Sequence, residues 1–290
     1  MKHILICGET SFIGRAVAAR LAAFPEMYAC ESISLRGDAW KQHDFSRCDA
    51  VVHVAGIAHV SSKNVSDAAY HEVNCQLALE CARHAKAAGV KQFIFLSSMI
   101  VYGPAARAGR DRVIDAHTPP APANAYGQSK LDAEAGLSAM SDASFRVAIL
   151  RPPMVYGPGC RGNYTLLQTW VGKIPFFPDF PGRRSVIYVE NLAEFIRHII
   201  ERNDCGVFHP QDASVTTTAH IAREIAQARG ERLYLTKLFN PFIRILGGVG
   251  FVRRAFGDMQ YDPALSAYPE NYRIYSLSQA IQKTEAKGDA

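Results

Sequence analysis

The feature that most narrows the possible folds is an alternation repeated through the first two thirds of the chain. Short apolar runs at residues 3–7, 31–35, 49–56, 93–96 and 145–150 are separated by stretches of helical periodicity. The runs are rich in Val, Ile, Leu and Phe and have the length of buried strands. Strands that alternate with helices form parallel pairs through right-handed crossovers. The fold class expected is therefore α/β, a doubly wound parallel sheet with helices on both faces. In such a sheet the binding crevice lies beyond the carboxyl ends of the strands.

The first strand end carries the clearest local signal. Residues 3–7 run into Gly8-Glu9-Thr10-Ser11-Phe12-Ile13-Gly14, and residues 15–24 are helical in pattern. Strand, glycine turn and helix together make a Rossmann-type phosphate-binding unit, where free N–H groups and the helix dipole meet a pyrophosphate. The glycine spacing is interrupted, because Ser11 stands where a middle glycine lets the backbone approach the diphosphate. Its hydroxyl offers a hydrogen bond in exchange. The cofactor-binding residues expected here are Gly8, Ser11, Phe12, Ile13 and Gly14.

The other strand ends extend the site. Arg36 closes the run 31–35. At that position an acid binds the ribose 2′-hydroxyl of NAD and a base accepts the 2′-phosphate of NADP, so Arg36 leans the cofactor toward NADP. Asp44 is placed near the adenine. Ala55 and Gly56 end the third strand with little bulk and allow close contact with a cofactor. His53 lies inside that strand and reads as a packed histidine. The helix expected over 67–89 carries Asn74, whose ordinary role is a hydrogen bond to a neighbouring strand and which is also counted among the cofactor contacts.

The fourth run, 93–96, leads into Ser97 and Ser98, then Val101-Tyr102-Gly103. After a Pro-rich loop, Tyr126 and Lys130 fall four residues apart at the start of a helical pattern, on one face. No other of the twelve tyrosines has a lysine four residues on. A phenol has a pKa of about 10, too high for ready proton exchange at neutral pH, and a nearby ammonium lowers it. Ser98, Tyr126 and Lys130 are thus a set for moving a proton alongside a hydride, with Ser98 also holding the substrate oxygen. Tyr102 and Arg151 fall at strand ends too, and Tyr102 is placed against the substrate.

From about residue 152 the character changes to loops and shorter elements. The expected division is a dinucleotide-binding domain over 1–155, with 186–203 packing back on it, and a mainly substrate-binding lobe over 156–290. The last residues, from Gln282, are expected to fray. Composition narrows the partners. The net charge of +5 is mild and its cations are scattered, so no nucleic-acid face is expected. Seven cysteines without metal-ligand spacing point to a reducing compartment and to no metal site. With no run long enough to span a bilayer, the expectation is a cytoplasmic protein without a membrane partner.

The order and spacing of these motifs resemble the extended short-chain dehydrogenase/reductases, and within them the NAD-dependent epimerase/dehydratase family acting on nucleotide sugars. The resemblance covers roughly residues 3–200. It rests on Gly8…Phe12-Ile13-Gly14, His53-Val54-Ala55-Gly56, Leu96-Ser97-Ser98…Val101-Tyr102-Gly103, Tyr126-x-x-x-Lys130, Arg151-Pro152…Val155-Tyr156-Gly157-Pro158-Gly159 and Arg184-x-x-x-x-Val189. It implies that Ser98 and Tyr126 hold and deprotonate a sugar hydroxyl, and that Lys130 binds the nicotinamide ribose. It also implies that Asn163 and Arg184 contact the diphosphate of a nucleotide sugar, and that two chains pair as a homodimer. Ser11, the Glu190-Asn191 step and Met154 depart from the family pattern.

The implied activity is NAD(P)-dependent hydride transfer at C4 of a nucleotide sugar, most readily a UDP sugar. A 4-epimerase stands slightly ahead. The alternative is an NADPH-dependent reductase of a UDP-4-keto sugar, of the 6-deoxy or N-acetyl type. A reading of another class is a non-catalytic dinucleotide-binding sensor, which the interrupted glycine motif allows and the complete Ser98-Tyr126-Lys130 set argues against. A hydroxysteroid dehydrogenase is disfavoured by Asn163 and Arg184, which suit a diphosphate.

Overall fold

The computed structural model describes residues 1–58 and 66–286. Six strands, all parallel, lie in the order Gly206–Phe208, Arg146–Leu150, Gln92–Leu96, Ala50–His53, Lys2–Cys7, Tyr28–Ile33. From Lys2–Cys7 the chain moves to one side to form Tyr28–Ile33, then adds every later strand on the other side. The switch point is thus between Lys2–Cys7 and Ala50–His53, where this architecture opens its crevice.

Alternation explains how the sheet is buried. Leu5, Cys7, Val51, Phe93, Phe95, Val147 and Ile149 point to one face and join Ala82, Ala85, Ala133 and Leu137 in one core cluster. The residues between them, including Ile4, Ile6, Val52, Ile94 and Leu150, are equally buried on the other face. Each such Leu, Ile or Phe contributes roughly 1.5–3 kcal/mol when removed from water. Both faces are covered, as a parallel sheet requires. Helix Phe12–Ala22 and the helical residues from Leu192 are joined by Arg20 and Glu194 at 2.6 Å.

Several boundaries differ from those read in the sequence. The second strand is Tyr28–Ile33, three residues earlier than the run at 31–35. Its register is set by the first strand, Lys2 opposite Tyr28 and Cys7 opposite Ile33. The N–H groups of Gly8 and Glu9 both donate to the Ile33 carbonyl, which ends the pairing there. The helix expected over 67–89 runs from Asp67 to Ala87 but contains a π turn, Glu72–Gln76, that carries Asn74.

Two compact units divide the chain. The first comprises Met1–Gly103, Pro119–Pro152 and Leu192–Pro210, and holds the six-stranded sheet. The second comprises Pro104–Thr118, Pro153–Asn191 and Gln211–Ala290. Residues 104–118 join the second unit because Val113–Ile114 pairs with Gln260–Tyr261. Further two-stranded pairs there are Met154–Tyr156 with Val186–Tyr188 and Phe176–Pro178 with Tyr234–Thr236.

The second unit has a polar pin in its core. Asp212 accepts hydrogen bonds from Asn191 at 2.8 Å and from the Tyr156 hydroxyl at 3.1 Å. Burial raises its carboxyl pKa to about 6. Asn191, half of the departing Glu190-Asn191 step, also bonds both backbone groups of Tyr275. Of the tail expected to fray from Gln282, residues 287–290 lie outside the described residues and those up to Glu285 belong to the helix Leu277–Glu285, started by a Ser276–Gln279 capping box. Glu285 fixes its far end by accepting from Tyr164, Gln168 and Arg229. Among the described residues no helix is long and apolar enough to cross a membrane.

Candidate active site

The glycine turn is built from its termini. Gly8 follows the first strand at φ +128°, a conformation open to glycine. Ser11 is the N-cap of helix Phe12–Ala22, and its hydroxyl accepts from the Gly14 N–H at 3.3 Å. The side chain that interrupts the glycine spacing is therefore a helix cap. It keeps its own O–H to donate. A side chain at Gly14 would strike the Gly8 carbonyl at 2.8 Å, so turn and helix touch backbone to backbone. Phe12 and Ile13, the first two helical residues, have no carbonyl four residues back within the helix to receive their N–H groups.

Ser98, Tyr126 and Lys130 come together in the first unit. Strand Gln92–Leu96 ends one residue before Ser97, and Ser98 caps the turn Met99–Tyr102 through Ile100 N–H at 3.3 Å. Helix Ala125–Met140 starts at Asn124, whose side chain accepts from the Gly127 N–H at 2.8 Å. This presents the half-buried Tyr126 in the first turn, where the Ser98 hydroxyl acts on its phenol. Lys130, one turn on, donates to the Leu96 carbonyl at 2.8 Å and sits 4.7 Å from the centre of the Phe95 ring. Burial lowers its pKa to about 8, against the pull of Glu134.

The phenol behaves differently from the sequence expectation. Burial raises the Tyr126 pKa, the Ser98 hydrogen bond opposes this, and Tyr70 adds to the rise. Lys130 was expected to lower it, but the ammonium is drawn to the Leu96 carbonyl and desolvation of the phenol prevails. As built, the pair favours a proton-holding tyrosine.

Behind the triad lies a charged network that sequence reading missed. Arg151 grips Glu134 with Nε at 3.1 Å and Nη2 at 2.5 Å. Ser97 also donates to Glu134, and Arg151 Nη1 donates to the Tyr102 hydroxyl at 2.7 Å. Tyr102 in turn meets His209 Nε2 at 2.8 Å. This corrects the placement of Tyr102 against substrate. Its side chain is 3% exposed, because the turn Met99–Tyr102 rotates it into the core. The sequence signal for Glu134 was present: Tyr126, Lys130 and Glu134 form one ridge at four-residue intervals.

The remaining first-unit residues divide by what already engages them. Asn74 uses its whole amide: Oδ1 accepts from Ile57 N–H at 2.8 Å, and Nδ2 donates to the Ile57 carbonyl at 3.0 Å and Ser129 at 3.2 Å. It thereby pins the Ala55-Gly56 turn. A side chain at Gly56 would meet Asn74 Oδ1 at 2.8 Å. His53 is fully buried between Phe93 and Phe95, and burial lowers its pKa to about 3, so it is a neutral core residue as expected. Arg36 is exposed, three residues beyond the strand. Asp44 is exposed and spends Oδ1 on both Ser46 groups, at 2.9 and 2.6 Å.

Asn163 and Arg184 meet in the second unit, at a cavity of about 110 Å³. Asn163 opens helix Asn163–Val171, and the cavity is also lined by Trp170, Thr218, Phe251 and Arg254. Arg184 Nη2 donates to the Ala255 carbonyl at 2.7 Å and Arg254 carbonyl at 3.2 Å. Its Nε is buried and has no hydrogen-bond partner among the described residues. Burial lowers the guanidinium pKa to about 10, with Asp258 opposing. A half-buried guanidinium at a cavity wall, held only by backbone carbonyls, suits an anion. Trp170, Thr218 and Arg254 carried no motif in the sequence.

The profile of the NAD dependent epimerase/dehydratase family matches residues 4–209. The chain is 30% identical to a UDP-glucose 4-epimerase of Vibrio cholerae over 289 residues, covering 90% of this chain and 87% of that one. Among solved structures, a UDP-glucuronic acid 4-epimerase of Bacillus cereus in complex with NAD superposes with a TM-score of 0.74 at 18% identity, covering 98% and 97% of the two chains. A dTDP-4-dehydrorhamnose reductase of Clostridium acetobutylicum superposes with a TM-score of 0.75 at 15% identity, covering 97% and 98%. The two structures show likeness of fold.

Proposed function

The chain belongs to the NAD dependent epimerase/dehydratase family, of the extended short-chain dehydrogenase type, and from that premise we propose that it catalyses hydride transfer at C4 of a UDP-linked hexose as a 4-epimerase. The observation that carries this reading is Tyr126, whose pKa the Ser98 hydroxyl pulls downward, one helical turn before a buried Lys130 held on the Leu96 carbonyl.

The first unit fits a dinucleotide. The bare contact of Gly14 with Gly8 leaves a cradle at the switch point, and the first-turn N–H groups of Phe12 and Ile13 favour a pyrophosphate. Ala55 and Gly56 keep the neighbouring strand end free of bulk, while Asn74 fixes their turn. Ser11 adds a hydroxyl donor, and the Lys130 ammonium is placed for a ribose. When bound, the nicotinamide group supplies and receives the hydride.

The chain's own residues handle the proton and the diphosphate. Ser98 orients the C4 oxygen. Tyr126 takes the hydroxyl proton in one half of the reaction and returns it in the other, a role generally worth 10²–10⁴-fold in rate. Asn163 and Arg184 hold the diphosphate in the cavity of the second unit.

A second reading draws on two observations: the raised Tyr126 pKa, which suits a proton donor, and the exposed Arg36 beyond the second strand. It makes the chain an NADPH-dependent reductase of a UDP-4-keto sugar, with Tyr126 acting once as acid. The deciding experiment is acid release of ligands from the purified chain, followed by absorbance and mass spectra. Retained NAD, with interconversion of UDP-hexoses, supports the epimerase. An empty site that takes NADPH in preference to NADH supports the reductase. Affinity for neither overturns both.

A further inference from the structure

The apolar residues left on the surface are not scattered. Leu238, Phe242, Ile245, Leu246, Val249 and Phe251 are all exposed within fourteen residues of one another, with Leu238 at 73%, Ile245 at 71% and Phe242 at 64%. Leu238 precedes, and the others lie on or between, two short helices of the second unit, Asn240–Ile245 and Gly250–Phe256, separated by Gly247-Gly248. The segment is anchored from beneath. Ile243 and Phe256 are buried, and the Phe256 ring meets those of Phe177 and Phe180 at 6.2 and 5.9 Å. With those anchors inside, Leu238, Phe242, Ile245, Leu246 and Val249 are left to the surface, while the Phe251 ring packs against Trp170 at 5.2 Å. Contiguous exposure of this kind marks an interaction surface.

Charge identifies the partner. Residues 232–257 contain Arg232, Lys237, Arg244, Arg253 and Arg254 and no Asp or Glu. Whole-chain net charge conceals this, since it is only +5. Large apolar side chains interleaved with unopposed cations are the pattern of a segment lying in a membrane interface, with apolar groups among acyl chains and cations at anionic headgroups. A twofold contact between two copies through the same surface would set these cations against themselves. We propose that residues 237–254 dock the chain on an anionic lipid bilayer. The earlier expectation of no membrane partner followed from the lack of a spanning run, and an interfacial segment needs none. Phe251 and Arg254 also line the cavity that holds Arg184, so the docked segment is one wall of that cavity.

The test is flotation of the full chain with vesicles of phosphatidylcholine alone and of phosphatidylcholine mixed with phosphatidylglycerol. Expected is recovery on the anionic vesicles about tenfold above the neutral ones, weakened by added salt. Phe242→Ser with Ile245→Ser, and separately Arg244→Glu, each lower that binding by about tenfold. Both leave the thermal unfolding midpoint unchanged. Equal recovery on the two vesicle types overturns the proposal, as does binding that ignores both sets of substitutions. So does a concentration-dependent dimer in sedimentation that the double substitution dissolves. No turnover is read, so failure here leaves the hydride reading standing.

Discussion

Arg151, buried, and Arg184, half-buried, are two arginines with opposite surroundings. Arg151, in the first unit, is opposed by burial, but its hydrogen bonds and charge contact with Glu134 outweigh this and hold its pKa above the ordinary range. Arg184, in the second unit, has only backbone carbonyls on its Nη2, a bare Nε, and a pKa lowered to about 10 by burial. The first is a finished pair that stiffens its neighbours. The second lacks a charged partner, which is what the proposed diphosphate would supply. A buried arginine is therefore a structural part or a binding part according to what already answers its donors.

Arg151 matters to the chemistry only through what it supports, and the support must be worth less than the reacting group. Tyr126→Phe is expected to lower kcat by about 10²–10⁴-fold while dinucleotide affinity, read by fluorescence titration, stays near that of the parent. Undiminished turnover in that variant would remove the proton-transfer role and the purpose of the network behind it. Arg151→Met breaks the finished pair. It leaves Glu134 buried and charged, and should cost about 3–5 kcal/mol of stability in denaturant titration. A loss below about 1 kcal/mol would mean that Glu134 finds another partner and that the contrast with Arg184 is overstated.

Arg184→Met should do the reverse. Stability should hold, because a half-buried cation with no charged partner is replaced by a side chain of similar volume. KM for a UDP sugar should rise about 10–100-fold, the worth of one charge-assisted contact of roughly 1.5–3 kcal/mol. A melting-temperature drop as large as that of Arg151→Met, with KM unchanged, would make Arg184 a second structural arginine.

How much of this was legible depends on whether a residue's neighbours are local. The parallel sheet, the strand ends and the Ser98-Tyr126-Lys130 set could be read because periodicity and four-residue spacing are properties of adjacent sequence. Ser11 was readable as a helix cap too, since a serine before an apolar helical run is an N-cap signal. The second strand was misplaced because its limits come from pairing with Lys2–Cys7, a partner some twenty-five residues away. Tyr102 was misassigned for a similar reason. It shares a strand end with Ser98, but the short turn Met99–Tyr102 points the two apart, and its partners Arg151 and His209 are distant in sequence. The exposed apolar segment 237–254 was not singled out in the sequence, because exposure is decided by which apolar residues the rest of the unit leaves uncovered.

In how its charge is answered Lys130 is intermediate between the two arginines, and it gives the smallest but most discriminating effect. It has one carbonyl, one aromatic ring and the charge of Glu134, and burial brings its pKa from 10.5 to about 8. Above pH 8 the folded chain loses this proton while the unfolded chain keeps it up to 10.5, so the unfolded state binds more protons in that window. Stability contributed by this site therefore rises with pH between those values, by at most about 3 kcal/mol. Activity should move the other way, since a neutral amine no longer supplies positive charge beside Tyr126. The expected result is a kcat/KM that declines above about pH 8 while the difference in unfolding free energy between the parent and Lys130→Met grows in favour of the parent. If both quantities fall together above that pH, the lysine is as firmly paired as Arg151. The decline then belongs to another group.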